Sequence, residues 1–95
     1  MIKSFKDKET EKLYNDLPTK KIPNNIKKIA RRKLMLIDNV SSLQQLTIPP
    51  RNHLEALLGK QTGRWSIRIN KQWRITFTPT NGGSDYEDVT IEDYH

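Results

Sequence analysis

The sequence predicts an α+β fold in which N-terminal helices pack on one face of a small twisted antiparallel sheet. Before Pro49, apolar residues recur every three or four positions, which is typical of helices. After Arg64 they recur at every second position, which is typical of strands. The chain has 95 residues, of which 34% are hydrophobic, so it can bury one thin layer of helix on sheet. We therefore expect a single domain over residues 1–95.

The first residues predict a short edge strand followed by a short helix. Ile2–Phe5 can form the strand. Asp7 is a suitable N-cap, because its carboxylate can accept a hydrogen bond from an amide in the first turn. The helix should run through Leu13 and Tyr14 and end before Pro18.

A second, longer helix is predicted after Pro23. Its apolar stripe consists of Ile26, Ile29, Ala30, Leu34 and Ile37. Four basic residues lie largely off that stripe: Lys27, Lys28, Arg31 and Arg32. This helix should therefore cover the sheet with its apolar side and present positive charge on another.

The segment after the second helix predicts one more helical turn and then extended chain. Ser41 and Ser42 can cap a turn through Leu43 and Leu46. Pro49 and Pro50 cannot continue a helix, so we expect an extended segment from there.

Residues 64–78 predict a β-hairpin whose register follows from the pattern. Six large apolar residues occupy alternate positions: Trp65, Ile67, Ile69, Trp73, Ile75 and Phe77. They share one face only if Ile69 lies opposite Trp73, which leaves residues 70–72 as the loop. Arg68 must then face Arg74 on the other side of the sheet. The tryptophans could stack on bases, but on this apolar face we expect them in the core.

The last part of the chain predicts a loop and a final strand. Residues 79–84 are rich in turn formers, and residues 86–91 alternate polar and apolar. By parity Asp93 and His95 share the core face with Ile91, whereas Arg74 lies on the other face. We therefore expect a twist or bulge after Ile91, or a His95 that reaches around the end of the sheet.

Composition bounds the environment and the partners. The chain has no cysteine and no apolar run long enough to span a membrane, and its first residues are too charged for a secretory signal. These features predict a cytoplasmic protein. Its 17 Lys and Arg exceed its 11 Asp and Glu, for a net charge of +6, which favours polyanionic partners.

The chain carries the residue types of a metal-independent ribonuclease. Such an enzyme needs a base for the ribose 2′-hydroxyl, an acid for the leaving 5′-oxygen and cations around the phosphate. Asp93, Tyr94 and His95 can handle protons, and Glu55 adds a carboxylate. Fixed positive charge comes from Arg68 and Arg74, with Arg64 and Lys71 nearby.

Other interpretations of these residues stay open. Arg68 and Arg74 repel each other across the hairpin, and they can also splay into water or pair with Glu92 instead of binding a phosphate. His53 is weighed first as a surface residue. Two distant histidines without a third ligand make a poor metal site, so neither a metal nor a cofactor is expected.

Three segments carry a resemblance to a known family. They are residues 49–59, which begin with Pro49-Pro50 and end with Gly59, residues 63–77, which contain Trp73-Arg74-Ile75, and residues 89–95, which end Asp-Tyr-His. Together they resemble HigB-type toxins of the RelE/ParE superfamily. The resemblance implies a RelE-like fold, cleavage of messenger RNA in the ribosomal A site, and a helix-turn-helix antitoxin partner (HigA-like), with no membrane involved.

The resemblance also assigns roles, with one departure. Asp93, Tyr94 and His95 match the family's C-terminal catalytic positions, and Arg74 matches the arginine expected to hold the scissile phosphate. Better-known members carry a histidine and a lysine where this chain has Glu55 and Leu58. We therefore expect Glu55 to act as a base or to orient His95.

Two alternatives to a ribosome-dependent endoribonuclease remain from the sequence. ParE-like relatives inhibit DNA gyrase without cutting RNA, and a plain RNA-binding module is also compatible with the charge. If the protein binds RNA, four residues are candidates for attraction to ribosomal RNA: Lys27, Lys28, Arg31 and Arg32. A solvated helix face is the simpler explanation of their charge.

Overall fold

The computed structural model describes residues 1–93. Helices and strands follow one another in the predicted order: α1 (Lys8–Tyr14), α2 (Asn24–Asn39), β1 (Glu55–Ala56), β2 (Trp65–Arg68), β3 (Trp73–Thr80) and β4 (Asp85–Asp93). The strands form one antiparallel sheet in the order β1-β2-β3-β4. The predicted α+β architecture is confirmed.

Both helices begin where the sequence predicts. Asp7 is the N-cap of α1, and its side chain accepts a hydrogen bond from the amide of Thr10. In α2 the predicted stripe is buried except for Ile29, which is exposed, while Lys33 is buried in its place. Ile29 lies at the margin of the stripe, and Lys33 is held inside by a hydrogen bond to Asn52.

The hairpin has the predicted register. Arg68 is the partner of Arg74, and the amide of Ile69 bonds to the carbonyl of Trp73. Ile67, Ile75 and Phe77 are fully buried under α2, and both tryptophans pack against this core. The side chains of Ser66, Arg68, Arg74 and Thr76 belong by alternation to the opposite face. That face carries the polar residues of interest.

Of the features expected after Ile91, a bulge is absent as far as Asp93, and the alternative that His95 reaches around the end of the sheet lies outside the described residues. Pairing with β3 is regular from Thr76↔Thr90 to Trp73↔Asp93, and the irregularity lies earlier, near Thr78 and Glu87. Asp88 adopts a left-handed backbone conformation there, with φ of 51°. The extra residue thus sits in the middle of the strand, and Asp93 keeps the parity of Ile91.

Two connecting segments differ from prediction. The chain after Pro49 is not extended, because Pro50–Asn52 forms a 3-10 turn held by the buried Asn52. The predicted loop at 79–84 is shorter, since β3 continues to Thr80 before a tight turn at Asn81–Gly83. The turn at Leu43–Thr47 is present as 3-10 helix, but the side chain of Ser42 does not cap it.

The N-terminal segment lies along the outer edge of β4, where the edge strand was predicted. Ile2 and Phe5 form parallel bridges to Tyr86 and Val89. This segment covers backbone groups that would otherwise be an open sheet edge. No helix within residues 1–93 is long and apolar enough to cross a membrane.

Candidate active site

Arg74 is the centre of the polar face of the sheet. Its side chain is buried, with 7% exposure, although it is charged. The Nη1 atom donates to Oε2 of Glu55 at 3.1 Å and to Oγ of Ser66 at 2.9 Å. A buried cation held by fixed acceptors cannot swing freely, so the sheet presents its charge in one orientation.

The neighbours of Arg74 come from β1 and β2. Glu55 is the register partner of Ser66, and β2 places Ser66 beside β3. The carboxylate of Glu55 is half exposed, so it contacts both Arg74 and solvent. The sequence drew attention to Glu55 but missed Ser66, which the hairpin register alone would have placed on the same face as Arg74.

Asp93 joins Arg74 at a small cavity near the end of β4. The cavity has a volume of about 70 Å³ and is lined by Leu57, Gln61, Arg74, Thr76, Glu92 and Asp93. Asp93 also accepts a hydrogen bond from Nε2 of Gln72 at 3.2 Å. Arg74 thus contacts Glu55 directly and shares a cavity with Asp93, and the catalytic roles of the three residues stay predictions. Tyr94 and His95, the other two predicted catalytic residues, lie outside the described residues.

Arg64 has its guanidinium bound within the sheet. It donates to Oγ1 of Thr78 at 3.1 Å, to Oγ1 of Thr76 at 2.8 Å and to the carbonyl of Asp88 at 2.9 Å. These contacts hold the bulge of β4 against β3. Its role in phosphate binding stays a prediction, and a phosphate would have to compete with these acceptors.

Arg68 and Lys71 lie together at the end of the hairpin. Both line a cleft between α2 and the hairpin loop, together with Arg32. Arg68 is half-buried and Lys71 is exposed. Arg68 thus lies beside Arg74 on the neighbouring strand. Together with Lys71 it lines a cleft that the sequence did not predict.

The four basic residues of α2 surround a different groove. Lys27, Lys28, Arg31 and Arg32 line a space of about 770 Å³ between α1 and α2, whose apolar surface includes the exposed Leu17 and Met35. Nε of Arg31 donates to the carbonyl of Tyr14 at 3.2 Å, and Nζ of Lys27 donates to that of Thr19 at 3.4 Å. Arg31 therefore joins the two helices, and Lys27 holds the segment between them.

The polar face carries a cation together with acid-base residues. The lining of the cavity includes Arg74, Glu92 and Asp93. Across residues 1–93, no three His, Asp or Glu side chains are grouped closely enough to hold an ion. Such a site can bind an anion and direct protons around it.

Known proteins share this sequence and this fold. Residues 3–95 match the profile of a family described as the RelE-like toxin of the type II toxin-antitoxin system HigB. The chain is 40% identical to Toxin HigB-1 of Vibrio cholerae over 86% of its own length and 87% of the relative. It is 35% identical to Endoribonuclease HigB of Proteus vulgaris, with both chains fully covered.

A solved structure of lower sequence identity has a similar fold. YafQ from Escherichia coli superposes with a TM-score of 0.60 at 14% identity, covering 98% of this chain and 91% of that one. The sequence match runs through β1, the hairpin and β4, which together build the polar face. The chain belongs to the HigB family of RelE-like toxins and is the toxin of a type II toxin-antitoxin system, which implies an antitoxin as its partner.

Proposed function

We propose that this toxin is a metal-independent endoribonuclease that cleaves messenger RNA in the ribosomal A site and so stops translation. The observation that carries the proposal is the buried Arg74, which is oriented by Glu55 and Ser66 at a cavity that Asp93 also lines. The relative from Proteus vulgaris is named an endoribonuclease. On this proposal one toxin domain, residues 1–95, acts in the cytoplasm, where the ribosomes translate.

The proposed reaction is an internal transesterification. A base removes the proton of the ribose 2′-hydroxyl, and the 2′-oxygen forms a bond to phosphorus. The bond from phosphorus to the 5′-oxygen breaks, and an acid protonates that oxygen. The products carry a 2′,3′-cyclic phosphate, or a 3′-phosphate after hydrolysis, and a free 5′-hydroxyl.

Each residue has a proposed role in this reaction. Arg74 binds the phosphate oxygens on which negative charge develops. His95 transfers protons with Asp93 as its carboxylate partner, and Tyr94 stacks on or orients the substrate. Glu55 fixes the orientation of Arg74, because its carboxylate contacts the guanidinium directly.

The proposed partners follow from the same function. The antitoxin is a HigA-like helix-turn-helix protein. The ribosome supplies the message, and exposed basic residues such as Lys28 and Arg32 favour its RNA.

The test maps the 5′ ends of a message translated in a purified system. We expect discrete cuts with wild type, at least about 100-fold less cutting with His95→Ala or Arg74→Ala, and no cutting of the same message without ribosomes. Lys20→Gln, an exposed change away from the polar face, is the matched control and should cut normally. Unchanged cutting by both folded variants would overturn the assignment. Inhibition of DNA gyrase without message cleavage would replace it with the ParE-like alternative.

A further inference from the structure

A strongly basic cleft lies on the α2 side of the sheet, and Arg68 connects it with the candidate active site. It has a volume of about 390 Å³ and opens between α2, the turn at Pro50–Asn52 and the hairpin loop. Its lining consists of Ile29, Arg32, Lys33, Arg51, His53, Arg68, Ile69, Asn70 and Lys71, without a single Asp or Glu. Basic side chains from three separate parts of the chain therefore face one space.

The buried Asn52 holds the turn that carries two lining residues of this cleft. Its Nδ2 donates to the carbonyls of Leu46 at 3.1 Å and Ile48 at 3.2 Å, and its Oδ1 accepts from Nζ of Lys33 at 2.6 Å. These bonds fix the turn against α2. The residues on either side of Asn52, Arg51 and His53, are exposed and line the cleft. The turn thus holds the backbone of Arg51 and His53 in a fixed position against α2.

The charges in the cleft are not neutralised from within. Among residues 1–93, no hydrogen bond or ion pair engages the side chains of Arg32, Arg51, Arg68 or Lys71. Burial lowers the pKa of Lys33, and the positive charge of Arg32 lowers it further. Like charges gathered in this way repel one another, and an anionic ligand would relieve that repulsion.

The position of Arg68 connects the cleft with Arg74. The two arginines are register partners on adjacent strands, so their side chains start only about 5 Å apart. A polyanion that places one phosphate at Arg74 can place the next ones along Arg68 and into the cleft. No Trp, Tyr or Phe lines the cleft, so it lacks the stacking surfaces that bind bases. It is suited to the backbone of a nucleic acid rather than to its sequence.

We propose that this cleft binds the phosphodiester backbone of the single-stranded RNA that flanks the scissile bond. The proposal rests on the proposed endoribonuclease function, and it adds a binding track with Arg51 and Lys71 as its outer contacts. A single strand fits better than a helical segment of ribosomal RNA, because a flexible strand can pass around the end of the hairpin from Arg74 to Arg68, which is its register partner and lines the cleft.

The test measures binding without cleavage. A fluorescent 2′-O-methyl RNA of about twelve nucleotides cannot be cut, because its 2′-oxygen is blocked, and its anisotropy reports binding across a salt series. In the double variant Arg51→Gln/Lys71→Gln we expect affinity to fall at least tenfold at low salt. The slope of log affinity against log salt should become shallower by about 1.4, for two lost phosphate contacts.

The control removes the same charge elsewhere. Lys8→Gln/Lys20→Gln changes two exposed lysines away from the cleft and should weaken binding less than threefold. Equal losses in the two double variants would overturn the proposal, since only net charge would then matter. Circular dichroism melting should show both double variants to be folded, because all four side chains are exposed.

A duplex RNA distinguishes between the two possible sources of the phosphates, single-stranded message and helical ribosomal RNA. A 2′-O-methyl hairpin duplex should lose less affinity than the single strand in the Arg51→Gln/Lys71→Gln variant. A larger loss with the duplex would assign the cleft to structured ribosomal RNA and overturn the single-strand proposal. If wild type fails to cut message but the single-strand result holds, the cleavage proposal fails alone. If it cuts normally and the cleft variant binds like its control, the cleft proposal fails alone.

Discussion

The hydroxyl of Thr90 donates a hydrogen bond of 2.6 Å to the carboxylate of Asp7, 83 positions away in the chain. The same carboxylate accepts from the amide and the hydroxyl of Thr10 in the first turn of α1. Asp7 is therefore both a helix cap and a connection from α1 to β4, the strand that leads to the candidate active site.

Replacing Asp7 with alanine should lower the free energy of unfolding by about 1–2 kcal/mol, because the cap and the contact to Thr90 are lost together. Urea denaturation would measure the change. Glu11→Ala alters an exposed acid of the same helix and should change stability by no more than about 0.5 kcal/mol. Equal losses in the two variants would show that the connection contributes nothing.

Asp7 should also make stability depend on acid. Burial raises its pKa, but hydrogen bonds from Thr90 and Thr10 outweigh burial, so its pKa lies below the ordinary 3.8. A lowered pKa stabilises the fold above the ordinary value, and this stabilisation is lost as the pH falls through the folded-state pKa. Below pH 4 the stability of Asp7→Asn should therefore fall less steeply than that of wild type. Urea denaturation at several acid pH values would measure both proteins. Equal slopes of the unfolding free energy against pH would contradict this prediction.

Tyr14 should limit stability at high pH. Its hydroxyl donates to Oδ2 of Asp38 at 2.5 Å, and burial followed by that hydrogen bond raises its pKa from 10.0 to about 12. The unfolded chain then ionises first, so stability from this group is complete below pH 10 and is lost between pH 10 and 12. Tyr14→Phe should lose less stability than wild type over this range. Chemical denaturation at several alkaline pH values would measure it, and identical losses would contradict it.

Arg74 and Glu55 should be energetically coupled. Glu55→Ala removes one charged acceptor of the buried guanidinium, so we expect a loss of about 1–3 kcal/mol. With Arg74→Met already present, the same change should cost clearly less. A double-mutant cycle in urea would measure the coupling, and additivity within about 0.5 kcal/mol would argue against it. Glu87→Ala, an exposed acid on β4, is the control partner and should show no coupling to Arg74.

Gly83 should be intolerant of a side chain. Its φ is +89°, and a Cβ atom there would lie 2.6 Å from the backbone nitrogen of Leu43, which cannot move aside easily. Gly82 has a similar φ of +70° but open space around it. Gly82→Ala should therefore cost about 1–2 kcal/mol for the left-handed conformation, and Gly83→Ala clearly more. Thermal melting of the pair would check this, and a Gly83→Ala no worse than Gly82→Ala would contradict it.

The sequence predicted those features that follow from a regular repeat. The alternation in the hairpin fixed which residues face the core, and the opposition of Arg68 and Arg74 followed from it. Asp7 was recognisable as a cap because its chemistry is local.

Features that depend on distant contacts were not predictable in this way. The bulge at Asp88 has no glycine to mark it, and it is held by Arg64, which precedes β2 and is distant in the sequence. Lys33 is buried because Asn52 accepts its hydrogen bond, and the turn around Asn52 contradicted the expected extended segment. The roles of Tyr94 and His95 stay predictions.

The pairing of the N-terminal segment with β4 has a consequence for the order of folding. The bridges from Ile2 to Tyr86 and from Phe5 to Val89 join residues that are far apart in the sequence. Contacts of such high sequence separation carry a large entropy of loop closure, so we expect them to form late in folding. Until β4 has paired, β3 lacks its outer neighbour and Asp93 is absent from the cavity beside Arg74. We therefore expect activity to arise only once the sheet closes.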